Sequence, residues 1–166
     1  MATEAAETPG CVLKVSGPAR LHSALGLAAT RSMSAWRRIA VQKIPKQRGL
    51  IERSESVGML WVDLWFKFVE AHRQPADVET IRGVYEFAKW TCAESGNDEL
   101  ATSTYCHFYE DLPKEPLVRE RLPQYMARRD FLELVDVFKY HLTPQEHETF
   151  VREFLERAKV YEDGSA

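Results

Sequence analysis

The sequence predicts an all-α fold, an irregular bundle of five to six helices behind a disordered basic N-terminal arm. Three observations carry that expectation. From Ser54 onward, apolar residues recur at the three- and four-residue spacing of a helix face. The windows are bounded by Asp, Asn, Gly and Pro, residues that start or stop helices. No segment alternates with period two, so no sheet is expected. A chain of 166 residues, 45% hydrophobic and 11% aromatic, has enough large side chains for one core.

Charge divides the chain. Residues 1 to 7 hold two acids, Glu4 and Glu7, and no acid occurs from Thr8 to Ile51. That stretch carries eight bases: Lys14, Arg20, Arg31, Arg37, Arg38, Lys43, Lys46 and Arg48. Setting these aside from the totals of 22 bases and 25 acids leaves 14 bases and 23 acids, a net charge of −9 on the remainder. Residues 1–50 therefore read as a basic, disordered arm with one short helix over 33–41, and residues 54–161 as an acidic helical domain. The arm's apolar runs are too short to span a membrane, and Pro18, Arg20, His22 and Ser23 interrupt any secretory pattern. An acid-free, Arg- and Ser-bearing start also fits an organelle transit peptide, or a natural start at Met33.

In the body, Val57, Leu60, Trp61, Leu64, Trp65 and Phe68 mark the first helix, with Met59, Val62, Phe66 and Val69 adding apolar residues outside that stripe. So broad an apolar surface predicts burial on more than one side, with Trp65 at the centre, where truncation to Ala would cost about 3–5 kcal/mol. The rival reading makes Trp61, Trp65 and Phe66 an exposed partner face. Gln74 and Pro75 stop this helix. Asp77 opens the second, with Val78, Ile81, Val84, Tyr85, Ala88 and Cys92 on one side, and Gly96 closes it. Asn97 or Asp98 caps a third helix running to about Asp111, antiparallel to the second because the link is short. Pro113 and Pro116 precede a short helix over Leu117–Leu122 that ends near Pro123. A stripe of Phe131, Leu134, Val135 and Phe138 reaches Leu142 as the next helix. Thr143, Pro144 and Glu146 form a capping box for the last, with Phe150, Val151, Phe154, Leu155 and Ala158 on one face.

The densest group of reactive side chains is Tyr105, Cys106, His107, Phe108, Tyr109, Glu110 and Asp111. On a continuous helix His107 shares a face with Glu110 and Asp111, so a carboxylate would orient the imidazole, which gives an enzyme centred on His107 as one reading. Adjacent helix positions diverge by about 100°, so Cys106 and His107 do not form a nucleophile–base pair by themselves. Zinc would have to be gathered from Cys92, Cys106, His107, His141 and His147, which lack the close ligand pairs of structural sites. With no glycine-rich phosphate loop, zinc-protease helix motif or nucleophile elbow, no catalytic residue, metal ligand or cofactor is assigned.

His107, Phe108, Tyr109, Glu110, Asp111 and Leu112, then Leu122, Pro123, Tyr125 and Met126, then Phe138, Tyr140, Leu142, Thr143, Glu146, Phe150 and Phe154 carry a resemblance. Over residues 55–158 the chain resembles an uncharacterised family of small bacterial helical domains, some of them suspected immunity proteins. The resemblance implies a helical fold and no catalytic residue, and it permits a toxin-neutralising role. Cys11, Cys92 and Cys106 are too few and too scattered for a disulfide framework, which favours a reducing, cytoplasmic setting. The expected function is thus protein interaction, the acidic body attracting a basic partner. The alternative is a nucleic-acid or organelle-associated protein acting through its arm, since phosphate contacts need only Lys and Arg.

Overall fold

Side-chain caps decide where half of these helices begin. The computed structural model describes residues 33–73 and 75–163, and among them eight α-helices and three 3-10 turns occur with no strand. Six of the eight lie in the expected body; the other two begin in residues assigned to the arm. They are α1 (Ala35–Lys43) and α2 (Arg48–Arg53), joined by a 3-10 turn at Pro45–Gln47. Disorder to residue 50 is therefore corrected from 33 onward, and the helix anticipated over 33–41 is α1. Residues 1–32, including Cys11 and three of the arm's bases, lie outside the described residues.

The physical reason is burial. Ala40, Ile44 and Ile51 are fully enclosed and Val41 and Leu50 nearly so, all within the one hydrophobic core. A missing side chain makes room for them: a Cβ on Gly83 would stand 2.2 Å from the Lys43 carbonyl oxygen. Only glycine lets the end of α1 lie this close to its neighbour. Lys43 pairs with Glu86 at 2.8 Å, and Lys46 with Asp77 and Glu79 at 2.8 and 3.0 Å. The Arg37 guanidinium donates to the Ser54 and Glu55 carbonyls.

Helix α3 (Val57–Ala71) begins at Ser56, whose hydroxyl accepts the Met59 N–H. The stop expected at Gln74 and Pro75 comes slightly earlier, and Gln74 itself is outside the described residues. Helix α4 (Val78–Ala93) is capped by the Asp77 carboxylate on the Thr80 N–H, and Gly96 takes φ 61°, the left-handed turn expected of it. Asn97 accepts from the Glu99 and Leu100 amides to open α5 (Asp98–His107).

Two predicted helices are broken. Helix α5 stops at His107 rather than Asp111, because Phe108 leaves helical geometry (φ −132°, ψ −62°) and is fully enclosed against Trp61, Phe68 and Tyr85. A 3-10 turn covers Tyr109–Lys114 instead. After α6 (Pro116–Tyr125), which runs past Pro123 within its last turn, the stripe read as one helix from Asp130 to Leu142 divides. It becomes α7 (Arg128–Glu133) and a 3-10 turn at Val137–His141. The Val135 carbonyl freed at the break accepts a hydrogen bond from His147 Nε2 at 2.8 Å. The break seats both Phe131 and Phe138 against α8 (Pro144–Asp163): Phe131 stacks on Phe154 at 3.6 Å, and Phe138 meets Phe150 edge-on. The capping box forms as expected, the Thr143 N–H donating to Glu146 and the Glu146 N–H to Thr143 Oγ1.

Candidate functional site

Helix α3 has two apolar faces with opposite fates. Its inner face holds Trp61, fully enclosed and stacked between Phe87 (5.1 Å) and Phe108 (4.9 Å). The indole N–H donates to Thr104 Oγ1 at 2.9 Å, and Thr104 in turn meets Thr91 Oγ1 at 2.7 Å, so α3, α4 and α5 share one buried polar network. The outer face carries Met59, Val62 and Phe66, which are 53%, 43% and 69% exposed, continued by half-buried Val69. Their spacing of three, four and three residues aligns them in one stripe. Burial on more than one side is therefore corrected to burial on one. Trp65 is half-buried and Trp61 is the centre, so the expected patch of Trp61, Trp65 and Phe66 divides, with only Phe66 on the open face.

The charge beside the stripe is lopsided. Of the three ionisable residues of α3, Lys67 pairs with Glu70 at 2.9 Å, which leaves Asp63 as the surplus. Across the folded residues the charge is milder than the sequence division suggested. Arg37, Arg38, Lys43, Lys46 and Arg48 belong to the body, so 33–163 carry 19 bases and 23 acids, a net charge of −4 in place of −9.

The reactive group around His107 is dispersed. Because α5 ends at His107, its ring does not share a helix face with Glu110 and Asp111. It is exposed and lies over Gly58 of α3, where a Cβ would stand 3.7 Å from the ring. The two carboxylates face His141 instead, with Nε2 at 3.5 Å from Glu110 and 3.6 Å from Asp111. Cys106 is exposed, Cys92 half-buried, and His147 is held by the Val135 carbonyl. Among the described residues no three His, Cys, Asp or Glu side chains are grouped to hold a metal ion.

One concavity was invisible to sequence reasoning. Between α4, α5, α6 and α7 lies a cavity of about 500 Å³ lined by Tyr85, Tyr105, Tyr109 and Tyr125, with Cys92 and Met126 beside them. Tyr85 and Tyr109 are buried, and the Tyr85 hydroxyl is enclosed without a hydrogen-bond partner. Burial holds the phenols of Tyr85, Tyr105 and Tyr109 and the Cys92 thiol above their ordinary pKa values, so all are protonated at neutral pH. At the rim Lys89 bridges to Asp130 at 2.9 Å, Glu86 pairs with Lys43, and Glu133 with Arg129 at 3.0 Å. The four tyrosines are 40 positions apart at the extremes, and only Tyr85 belongs to a helix stripe the sequence marks, so no local signal brings them together.

Compared with models of protein families, with curated proteins and with solved structures, the chain finds no match. The all-α architecture is thus argued from the chain's own residues, and so is the reading of its surfaces. No described helix is long and apolar enough to cross a membrane.

Proposed function

We propose that this chain is a protein-interaction module that docks a basic, amphipathic segment of another protein on the outer stripe of α3. The observation that carries the reading is the row of Met59, Val62 and Phe66, three large apolar side chains held in register on a rigid helix and open to solvent. Aligned apolar residues at helical spacing suit the apolar face of an amphipathic partner helix laid along them. Charge selects the partner. Asp63 beside the row and a net of −4 on the folded residues favour a basic segment over a second copy of the same acidic chain. A toxin-neutralising role is one form of this reading, which the resemblance permits. An arm acting on nucleic acid draws on fewer charges than the sequence suggested, since five of the eight bases are part of the folded body.

The test uses two model peptides with identical apolar spacing, one of Leu and Lys and one of Leu and Glu. The full chain is expected to bind the Leu/Lys peptide, more weakly as salt rises, and to reject the Leu/Glu peptide. Phe66→Asp should abolish binding with little change in melting temperature, because that ring is 69% exposed. Binding that survives Phe66→Asp would remove the stripe from the reading. Salt-independent dimers that dissociate in the variant would make a second copy the occupant instead.

A further inference from the structure

We infer that α8 carries a second interaction surface, separate from the α3 stripe, and that its occupant is the α8 of another copy of this chain, laid antiparallel across a two-fold axis. Val151 and Leu155, neighbours one turn apart, stand half-buried on α8. With half-buried Val135 from the break after α7 they floor an open groove. Glu148, Arg152, Glu156 and Lys159 edge it. All four are exposed, and among the described residues none has an ion-pair partner within the chain. Glu153 on the same helix, by contrast, is paired with Arg119 at 3.3 Å.

The order of these charges selects the occupant. At about 100° per residue, Val151 and Leu155 lie along one side of the open face and Arg152 and Glu156 along the other, with Glu148 and Lys159 between them. A two-fold axis level with the Glu153–Phe154 peptide sets Glu148 opposite Lys159 of the second copy. Arg152 then meets Glu156, and Val151 meets Leu155, each within one residue of exact register, about 1.5 Å along the helix. The axis keeps apolar side against apolar side and charged side against charged side, and it repeats every pair. A parallel pairing would set each charge level with its own duplicate. A uniformly basic or uniformly acidic segment would meet like charge at half of these positions. The net charge of −4 on residues 33–163 opposes self-association at large, whereas the charges of this face cancel. One helix face is a small interface, so the dimer is weak and forms with rising concentration.

Sedimentation of the full chain at increasing concentration is expected to show a monomer–dimer equilibrium that weakens as salt rises. Arg152→Glu and Glu156→Arg each bring like charges together at two symmetric places, so each variant alone should dimerise about tenfold more weakly. Mixed, the two variants set acid against base at both places, and the mixture should regain a dimer with one chain of each kind. Both side chains are exposed, so each variant should keep the parent's melting temperature. Phe66→Asp should leave the dimer intact, since no residue of α3 borders the groove. A parent chain that stays monomeric throughout would overturn the inference, as would dimers that both charge variants leave unchanged, or a mixture that regains nothing. Loss of the dimer in Phe66→Asp would place the self-contact on α3 and remove it from α8.

Discussion

His72 is fully enclosed, which is uncommon for a titratable side chain. Its Nδ1–H donates to the Phe68 carbonyl at 2.8 Å, the ring lies edge-on to Phe68 and Tyr125, and Nε2 has no partner. Burial pushes its pKa below the ordinary 6.5; the Phe68 carbonyl opposes this, and Arg121 adds to it. A histidine depressed in the folded state takes up its proton more readily when unfolded. The stability it protects is therefore complete above about pH 6.5 and is lost as pH falls from there toward the folded value. Melting temperatures measured from neutral pH down to pH 5 should fall more steeply for the parent than for His72→Phe, which keeps an aromatic ring and removes the proton. Parallel curves would mean that His72 does not couple folding to pH. The sequence marked His107 as the histidine to watch, because its neighbours are reactive. It did not mark His72, whose distinguishing property is enclosure by residues far along the chain.

At the level of elements, the cap-bearing boundaries were readable and the breaks were not. Asp77, Asn97, Gly96 and the Thr143–Glu146 box act locally, so a few adjacent residues suffice to place them. The ends of α5 and α7 are decided by tertiary gain: Phe108 joins the Trp61 stack, and Phe131 and Phe138 both reach α8, neither of which a helical period can foretell. The same limit applies to α3. Its apolar stripes looked alike in the sequence, but only one faces the threonines of α4 and α5. Thr104 gives a test of that network. Thr104→Val keeps the shape and leaves the enclosed Trp61 N–H without its acceptor, an expected loss of about 1–3 kcal/mol. Chemical denaturation of the variant beside the parent measures it, and an unmoved midpoint would show that the indole does not depend on this hydroxyl.

For the molecule as a whole, the question is where the folded unit begins. Reading a boundary at residue 50 rested on charge and composition, which report solubility and partners rather than packing. The contrary signal was present in one residue of α4, since Gly83 has no local reason to be glycine in a helix interior. Its reason is the Lys43 carbonyl. Gly83→Ala separates the two pictures by sign. Were α1 a detached arm, alanine would stabilise α4 by about 0.5–1 kcal/mol through helix propensity alone. With α1 docked, the new methyl must stand 2.2 Å from a backbone oxygen, closer than any real contact, and neither α1 nor α4 can yield by rotating a side chain. Overpacking of this kind costs about 1–3 kcal/mol and sometimes more, which outweighs the propensity gain. Displacing α1 would also expose Ala40 and Ile44 and loosen the Lys43–Glu86 pair. A lower denaturation midpoint and faster hydrogen exchange in the α1 amides are therefore expected. A midpoint that rises would return residues 33–50 to the arm.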